Sequence, residues 1–241
     1  MGDGSSQLGE AGGKVAFVVL CQGHSGTTLL ASLLDSHPEI TCFDELFNDN
    51  SNNKRAFRLS GFDDPREYFR DLVGITDSPV VGLKLPVANM RKYHPDAIEL
   101  LRDPELRVIR LRRNLLAKIV SQRLTESMEG RRRRLRPYGA RKVTLDPNLS
   151  MRLLRDLEFE NRILDELARG HPTVQLTYEE LLADPAIEHV QRFLGVDPRP
   201  LKTEEVKRRT VPLSETIENW DEIAALLRGT AHERYVDEPA S

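Results

Sequence analysis

Lys14–Asp35 reads KVAFVVLCQGHSGTTLLASLLD, and its pattern changes twice along the way. Val15 to Cys21 is an unbroken apolar run, bounded by a loop and too short for a typical helix, so Lys14 to Cys21 is predicted to be a buried strand. Gly23 to Thr28 supplies only Gly, His, Ser and Thr and reads as a loop. Thr27 to Asp35 returns to apolar residues and stops before Pro38, which predicts a helix. A buried strand entering a Gly-containing loop and then a helix aims successive backbone N–H groups, and the positive end of the helix dipole, at one spot. An anion fits there: Gly23 and Gly26 allow close backbone approach, and the hydroxyls of Ser25, Thr27 and Thr28 can donate to phosphate or sulfate oxygens. The same hydroxyls read equally well as caps for the helix amides. The ATP-binding form of such a loop carries Gly-Lys-Ser or Gly-Lys-Thr. Here Gly26 is followed by Thr27, with no lysine to reach a β,γ-phosphate, which disfavours a nucleotide triphosphatase.

The strand, loop and helix pattern then repeats. Ile40 to Phe43 reads as a short strand, Asp64 to Val73 as a helix opened by Pro65, and Val80 to Leu85 as a central strand closed by Pro86. Leu106 to Leu111 is a further strand, after which Asn114 caps a helix running to about Ser127. A long amphipathic helix is predicted from about Leu149 to Ala168, then a strand from Thr173 to Leu176, two helices ending near Leu194, and a last helix from Asn219 to Leu227. Short strands alternating with helices give an α/β class, with a mostly parallel central sheet flanked by helices in three layers. At 241 residues the chain reads as one domain from residue 14 to 241, behind a flexible Gly/Ser lead-in over residues 1–13.

Composition narrows the functional classes. Hydrophobic residues at 39% and charged residues at 30% describe a globular chain and not a disordered one. Lys+Arg 35 against Asp+Glu 38 gives a net charge of −3, so nothing global draws the chain to nucleic acid or an anionic membrane, and any anion site is local. No run approaches the length of a membrane span, and the N-terminus lacks a secretory pattern, so a cytoplasmic address is expected. Cys21 and Cys42 sit in apolar segments without metal-ligand spacing and are expected to be buried thiols. The one block of like charge is basic, Arg131 to Arg136 within residues 129–143. It reads as a solvated loop or as a mobile cover for anions, with RNA binding a weaker option because no aromatic residues interleave it.

Ser25-Gly26-Thr27-Thr28-Leu29 after an apolar strand resembles the 5′-phosphosulfate loop of the PAPS-dependent sulfotransferases, enzymes of P-loop-like fold. That family binds the 3′-phosphate of PAPS (3′-phosphoadenosine 5′-phosphosulfate) through an Arg-Asn pair after a strand and a Ser eight residues on. Arg113-Asn114 and Ser121 match this spacing. An arginine at a strand end and a hydroxyl two helical turns later can converge on one phosphate. Tyr178-Glu179-Glu180-Leu181 is similar to the family segment whose Tyr lies near the adenine, and residues 214–230 are similar to the C-terminal segment of bacterial carbohydrate and natural-product members. Where the family usually has Lys or Arg before Ser-Gly-Thr, this chain has His24.

The resemblance implies transfer of a sulfuryl group from PAPS to a hydroxyl of a small molecule, glycan or secondary metabolite, without a required metal. Glu45 matches the carboxylate base of the bacterial and protein-tyrosine branches, and flanking Phe43, Leu46 and Phe47 are expected to desolvate it. Lys84, at the end of an apolar strand, either supplies a cation to the leaving phosphate or extends to water. The cofactor-binding set is then Gly23, His24, Ser25, Gly26, Thr27, Thr28, Arg113, Ser121 and Tyr178, with Glu45, His24 and Lys84 as the catalytic set. A P-loop kinase-like phosphotransferase and a non-catalytic phosphate- or RNA-binding protein are the competing readings.

Overall fold

The computed structural model describes residues 13–50, 53–127, 141–182, 184–203, 205 and 211–237. The lead-in before residue 13 and the Arg131 to Arg136 run lie outside the described residues. Within the segment read from sequence as one domain, the chain groups into two compact units. The first is Met1–Arg112 with Ile163–Thr203, the second Arg113–Arg162 with Glu204–Ser241.

The first unit is built on a five-stranded sheet in the order β2-β3-β1-β4-β5. The strands are β1 (Val15–Cys21), β2 (Ile40–Phe43), β3 (Val80–Pro86), β4 (Arg107–Arg112) and β5 (Thr173–Thr177), and every neighbouring pair is parallel. The expected α/β class with a parallel central sheet is therefore what the chain adopts. A parallel sheet needs helices on both faces, and the residue alternation supplies two apolar surfaces. On one face Val18, Leu20, Leu83, Leu85 and Val108 pack with α2 (Pro65–Ile75), α3 (Val87–Lys92) and the 3₁₀ segment Pro95–Arg102. On the other, Phe17, Val19, Cys21, Ile109 and Leu111 pack with α1 (Thr27–Asp35) and α6 (Asp184–Leu194). Each such buried side chain contributes about 1.5–3 kcal/mol. Gly82 is the exception that the packing requires: a Cβ there would stand 2.4 Å from the ring of Phe17, its register partner on β1.

Local signals set the element ends. Asp64 caps α2 by accepting from Arg66 N at 2.7 Å, with Pro65 at the first helical position. At the other end of α2, Lys14 donates to the carbonyls of Val73 and Thr76, placing a cation at the negative end of the helix dipole. Both cysteines are buried and neither forms a disulfide, as their apolar context indicates. Burial, reinforced by Asp35, pushes the Cys42 thiol far above its ordinary pKa, so it stays protonated and inert.

The second unit is helical: α4 (Leu115–Glu126), α5 (Pro147–Ala168) as far as Arg162, α7 (Leu213–Thr216), α8 (Trp220–Leu227) and a 3₁₀ turn, Glu233–Tyr235. Leu116, Val120, Leu154, Ile223 and Leu227 form its core, with Trp220 packed at the edge. Asn219 ties the segment before α8 to Leu145 by donating to its carbonyl at 2.8 Å and accepting from its N–H at 3.0 Å. No helix among the described residues is long and apolar enough to cross a membrane.

Candidate active site

β1 and α1 are joined by the loop expected to hold an anion. β1 lies at the middle of the sheet, with β2 and β3 to one side and β4 and β5 to the other. Its carboxyl end is therefore the switch point where ligands of open α/β sheets collect. Gly26 stands at the N-cap of α1 with φ 87° and ψ 14°, a left-handed conformation, and no side chain caps the helix. Ser25 and Thr27 are buried and His24 is exposed. His24 is also the one non-glycine residue with positive φ among the described residues, at 60°. A residue held there against its preference marks a backbone whose shape is fixed by the loop around it.

Tyr178 lies directly on this loop. A Cβ on Gly26 would stand 2.3 Å from Cδ2 of the Tyr178 ring, so the absence of a side chain at position 26 is what lets the ring sit there. Tyr178 follows β5, and its N–H donates to the carbonyl of Arg112 at the end of β4 at 2.8 Å, which anchors the aromatic ring from two strands.

Of its two sequence readings, extension to water is not what Lys84 adopts. Its side chain is only 2% exposed, and Nζ sits 2.6 Å from Asp44 Oδ1, 3.5 Å from Glu45 Oε1 and 3.3 Å from Thr28 Oγ1 in the first turn of α1. Burial disfavours the ammonium, but Asp44 and Glu45 outweigh it and hold the Lys84 pKa above its ordinary value, so it is charged at neutral pH. One buried cation thus joins the first turn of α1 to the carboxylates that follow β2.

Glu45 is held on its other oxygen as well. Oε2 accepts from Asn48 Nδ2 at 2.6 Å and from Asn89 Nδ2 at 3.2 Å. Of the apolar neighbours expected to desolvate it, Leu46 and Phe47 enter the core, where Phe47 packs against Phe57 and Tyr68. The groups facing the carboxylate are an ammonium and two amides. Asn48 and Asn89 are contributions that sequence reading missed. Asn89 is buried on α3, a helix too short to announce itself between Pro86 and Pro95.

A second feature missed from sequence is Arg110, wholly buried on β4. Its Nε lies 3.1 Å from Asp165 Oδ1, which also accepts Arg112 at 2.7 Å, and its Nη1 donates to the Leu111 carbonyl at 2.8 Å. Burial lowers the Arg110 pKa although Asp165 opposes it.

In the second unit, Asn114 caps α4 as expected, accepting from Ala117 N at 3.0 Å. Arg113 precedes the cap and Ser121 is buried about 9 Å along the helix axis from Leu115. His37, His94, His171 and His232 have structural partners; His37 accepts from Glu39 N on Nδ1 and meets the Asp197 carbonyl through Nε2 at 3.1 Å. Among the described residues no group of three or more His, Cys, Asp or Glu is gathered as a metal site would need.

No family model matches the chain, and no curated protein matches it by sequence. Among solved structures it is similar to a sulfotransferase from Alicyclobacillus acidocaldarius, at 17% identity and a TM-score of 0.48, covering 92% of this chain and 94% of that one. It is also similar to the mouse sulfotransferase SULT7A1 complexed with PAP, at 15% identity and a TM-score of 0.45, covering 82% of this chain and 66% of that one.

Proposed function

We propose that the chain is a PAPS-dependent sulfotransferase acting on a hydroxyl of a small molecule, glycan or secondary metabolite. The observation that carries this reading is the buried ammonium of Lys84, shared between Thr28 of the phosphate loop and the carboxylates of Asp44 and Glu45. The loop fits an anionic donor: α1 has no side-chain cap, and the glycine at position 26 lets the Tyr178 ring sit against the loop. When bound, PAPS supplies a sulfuryl group whose bond to the 5′-phosphate oxygen breaks as the acceptor oxygen bonds to sulfur.

The residues divide the remaining work. Glu45 takes the acceptor's proton on Oε1, since Oε2 is committed to Asn48 and Asn89. Lys84 stabilises the negative charge that develops on the departing phosphate, next to Thr28 and the N-terminal amides of α1. Protonating Glu45 removes one of the two negative charges holding Lys84, so proton uptake strengthens the cation's pull on the leaving group at the moment it is needed. His24 adds an imidazole at the same loop, Tyr178 faces the adenine, and Arg113 and Ser121 are assigned the 3′-phosphate.

The test uses labelled PAPS and a screen of acceptor alcohols. Glu45→Gln keeps both amide contacts within reach yet removes the base. It is expected to lower turnover by about two to four orders of magnitude while leaving affinity for 3′,5′-adenosine bisphosphate unchanged. Transfer at the parent rate by the variant overturns the assignment.

A further inference from the structure

The 3₁₀ turn Glu233–Tyr235 and the residue before it are tied to α5 by several polar contacts. Glu158 Oε1 on α5 receives His232 Nδ1 at 3.2 Å, Arg234 Nη2 at 2.6 Å and the Tyr235 hydroxyl at 3.0 Å. Arg234 also donates to that hydroxyl at 3.0 Å, so the turn closes on itself as well as on α5. The ring of Tyr235 is buried in the core with Leu115, Leu116 and Ile119 of α4.

The same residue holds the start of α4 through its backbone. The Tyr235 carbonyl accepts from Asn114 Nδ2 at 3.1 Å, while Asn114 Oδ1 accepts from Ala117 N at 3.0 Å. Both ends of one amide are therefore in use, one capping the helix and the other fixed to the turn. Capping alone does not need the second contact: Ser caps a helix about as well as Asn and has no amide to spare. The extra bond fixes the position of the residue between Arg113 and α4.

We propose that Tyr235 is a positioning residue for recognition of a ligand's 3′-phosphate, acting through Glu158 on one side and Asn114 on the other to set the start of α4. This rests on the sulfotransferase reading, which assigns that phosphate to Arg113 and Ser121. Tyr235 touches no ligand in this account. Its effect is confined to the part of the ligand those two residues hold, which separates it from a residue that serves stability alone.

The experiment is calorimetry on the full chain with 3′,5′-adenosine bisphosphate and with 5′-AMP, for the parent, Tyr235→Phe, Asn114→Ser and Arg113→Ala. Tyr235→Phe keeps the ring and the carbonyl but removes the hydrogen bond of Tyr235 itself to Glu158, leaving those of His232 and Arg234 in place. Asn114→Ser keeps a helix cap but releases the turn from α4. Each is expected to weaken the bisphosphate about tenfold, the size of one well-placed charge-assisted contact, and AMP less than about twofold. The double variant is expected to be no weaker than the worse single variant, because both cut one path. A parent that does not prefer the bisphosphate over AMP removes the functional reading itself. If Arg113→Ala loses the preference while Tyr235→Phe and Asn114→Ser retain it, the functional reading stands and the positioning role is overturned. Equal weakening of both ligands overturns it too, by showing a role in stability only. Should Tyr235→Phe not fold, Glu158→Gln, at the other end of the same path, is read in its place, and equal weakening of both ligands there overturns the role.

Discussion

Replacing Gly26 with alanine perturbs the loop between β1 and α1 in two separable ways. The first is conformational: at φ 87° an L-residue with a Cβ costs about 1–2 kcal/mol. The second is steric, because the new methyl would meet Tyr178 Cδ2 at 2.3 Å and Cε2 at 2.9 Å, close to the ring's attachment and not at a flexible tip. The ring has to move by roughly 1 Å to restore ordinary contact, an overpacking that costs about 1–3 kcal/mol. Together Gly26→Ala is expected to destabilise by about 2–5 kcal/mol. Gly61 provides the control: its φ is 78°, but nothing lies within 4 Å of its Cβ position, so Gly61→Ala carries the conformational cost alone. Urea denaturation reads both as shifts in midpoint at constant slope. In a Tyr178→Ala background the steric part vanishes, and Gly26→Ala then costs no more than Gly61→Ala. Equal losses for the two glycines in the parent background, or an undiminished Gly26→Ala loss without the Tyr178 ring, would refute the packing of Tyr178 on the loop.

His24→Gly relieves a residue at φ 60° and is expected to raise stability by about 1 kcal/mol while lowering sulfate transfer. Thermal denaturation beside a single-turnover assay checks both, and an unchanged melting temperature contradicts the strain. For Glu158, desolvation raises the pKa, but the hydrogen bonds from Tyr235 and Arg234 and the charge of His232 outweigh it and hold the carboxyl below its ordinary range. A depressed folded-state pKa gives stability that is present above the unfolded value and lost as pH falls through the folded one. The parent therefore loses melting temperature below about pH 4.5 more steeply than Glu158→Gln, and parallel profiles would count against the clamp.

Much of this was legible in local pattern. The run from Val15 to Cys21 is apolar because both faces of β1 are covered, and Asn114 reads as a cap because its side chain bonds three residues ahead. What was not legible depends on residues far apart in sequence. Nothing within the strand Leu106 to Leu111 marks Arg110 until Asp165 arrives from α5, and Glu45 reads as facing apolar neighbours until Lys84 and Asn89 arrive from β3 and α3. Asp44, next to Glu45 in the chain, lies nearer the Lys84 ammonium, at 2.6 Å against 3.5 Å. The 3₁₀ segment Pro95–Arg102 escaped because its hydrogen bonding does not follow the 3.6-residue period.

The central claim is that the chain holds a 3′-phosphorylated adenosine donor without needing a divalent cation. Thermal denaturation in EDTA, with 3′,5′-adenosine bisphosphate in one arm and ATP with and without excess Mg²⁺ in the other, tests it most directly. The account predicts a saturable rise in melting temperature with the bisphosphate in EDTA and a smaller response to ATP that Mg²⁺ does not enhance. Stabilisation by ATP that depends on Mg²⁺, with no response to the bisphosphate, would contradict it.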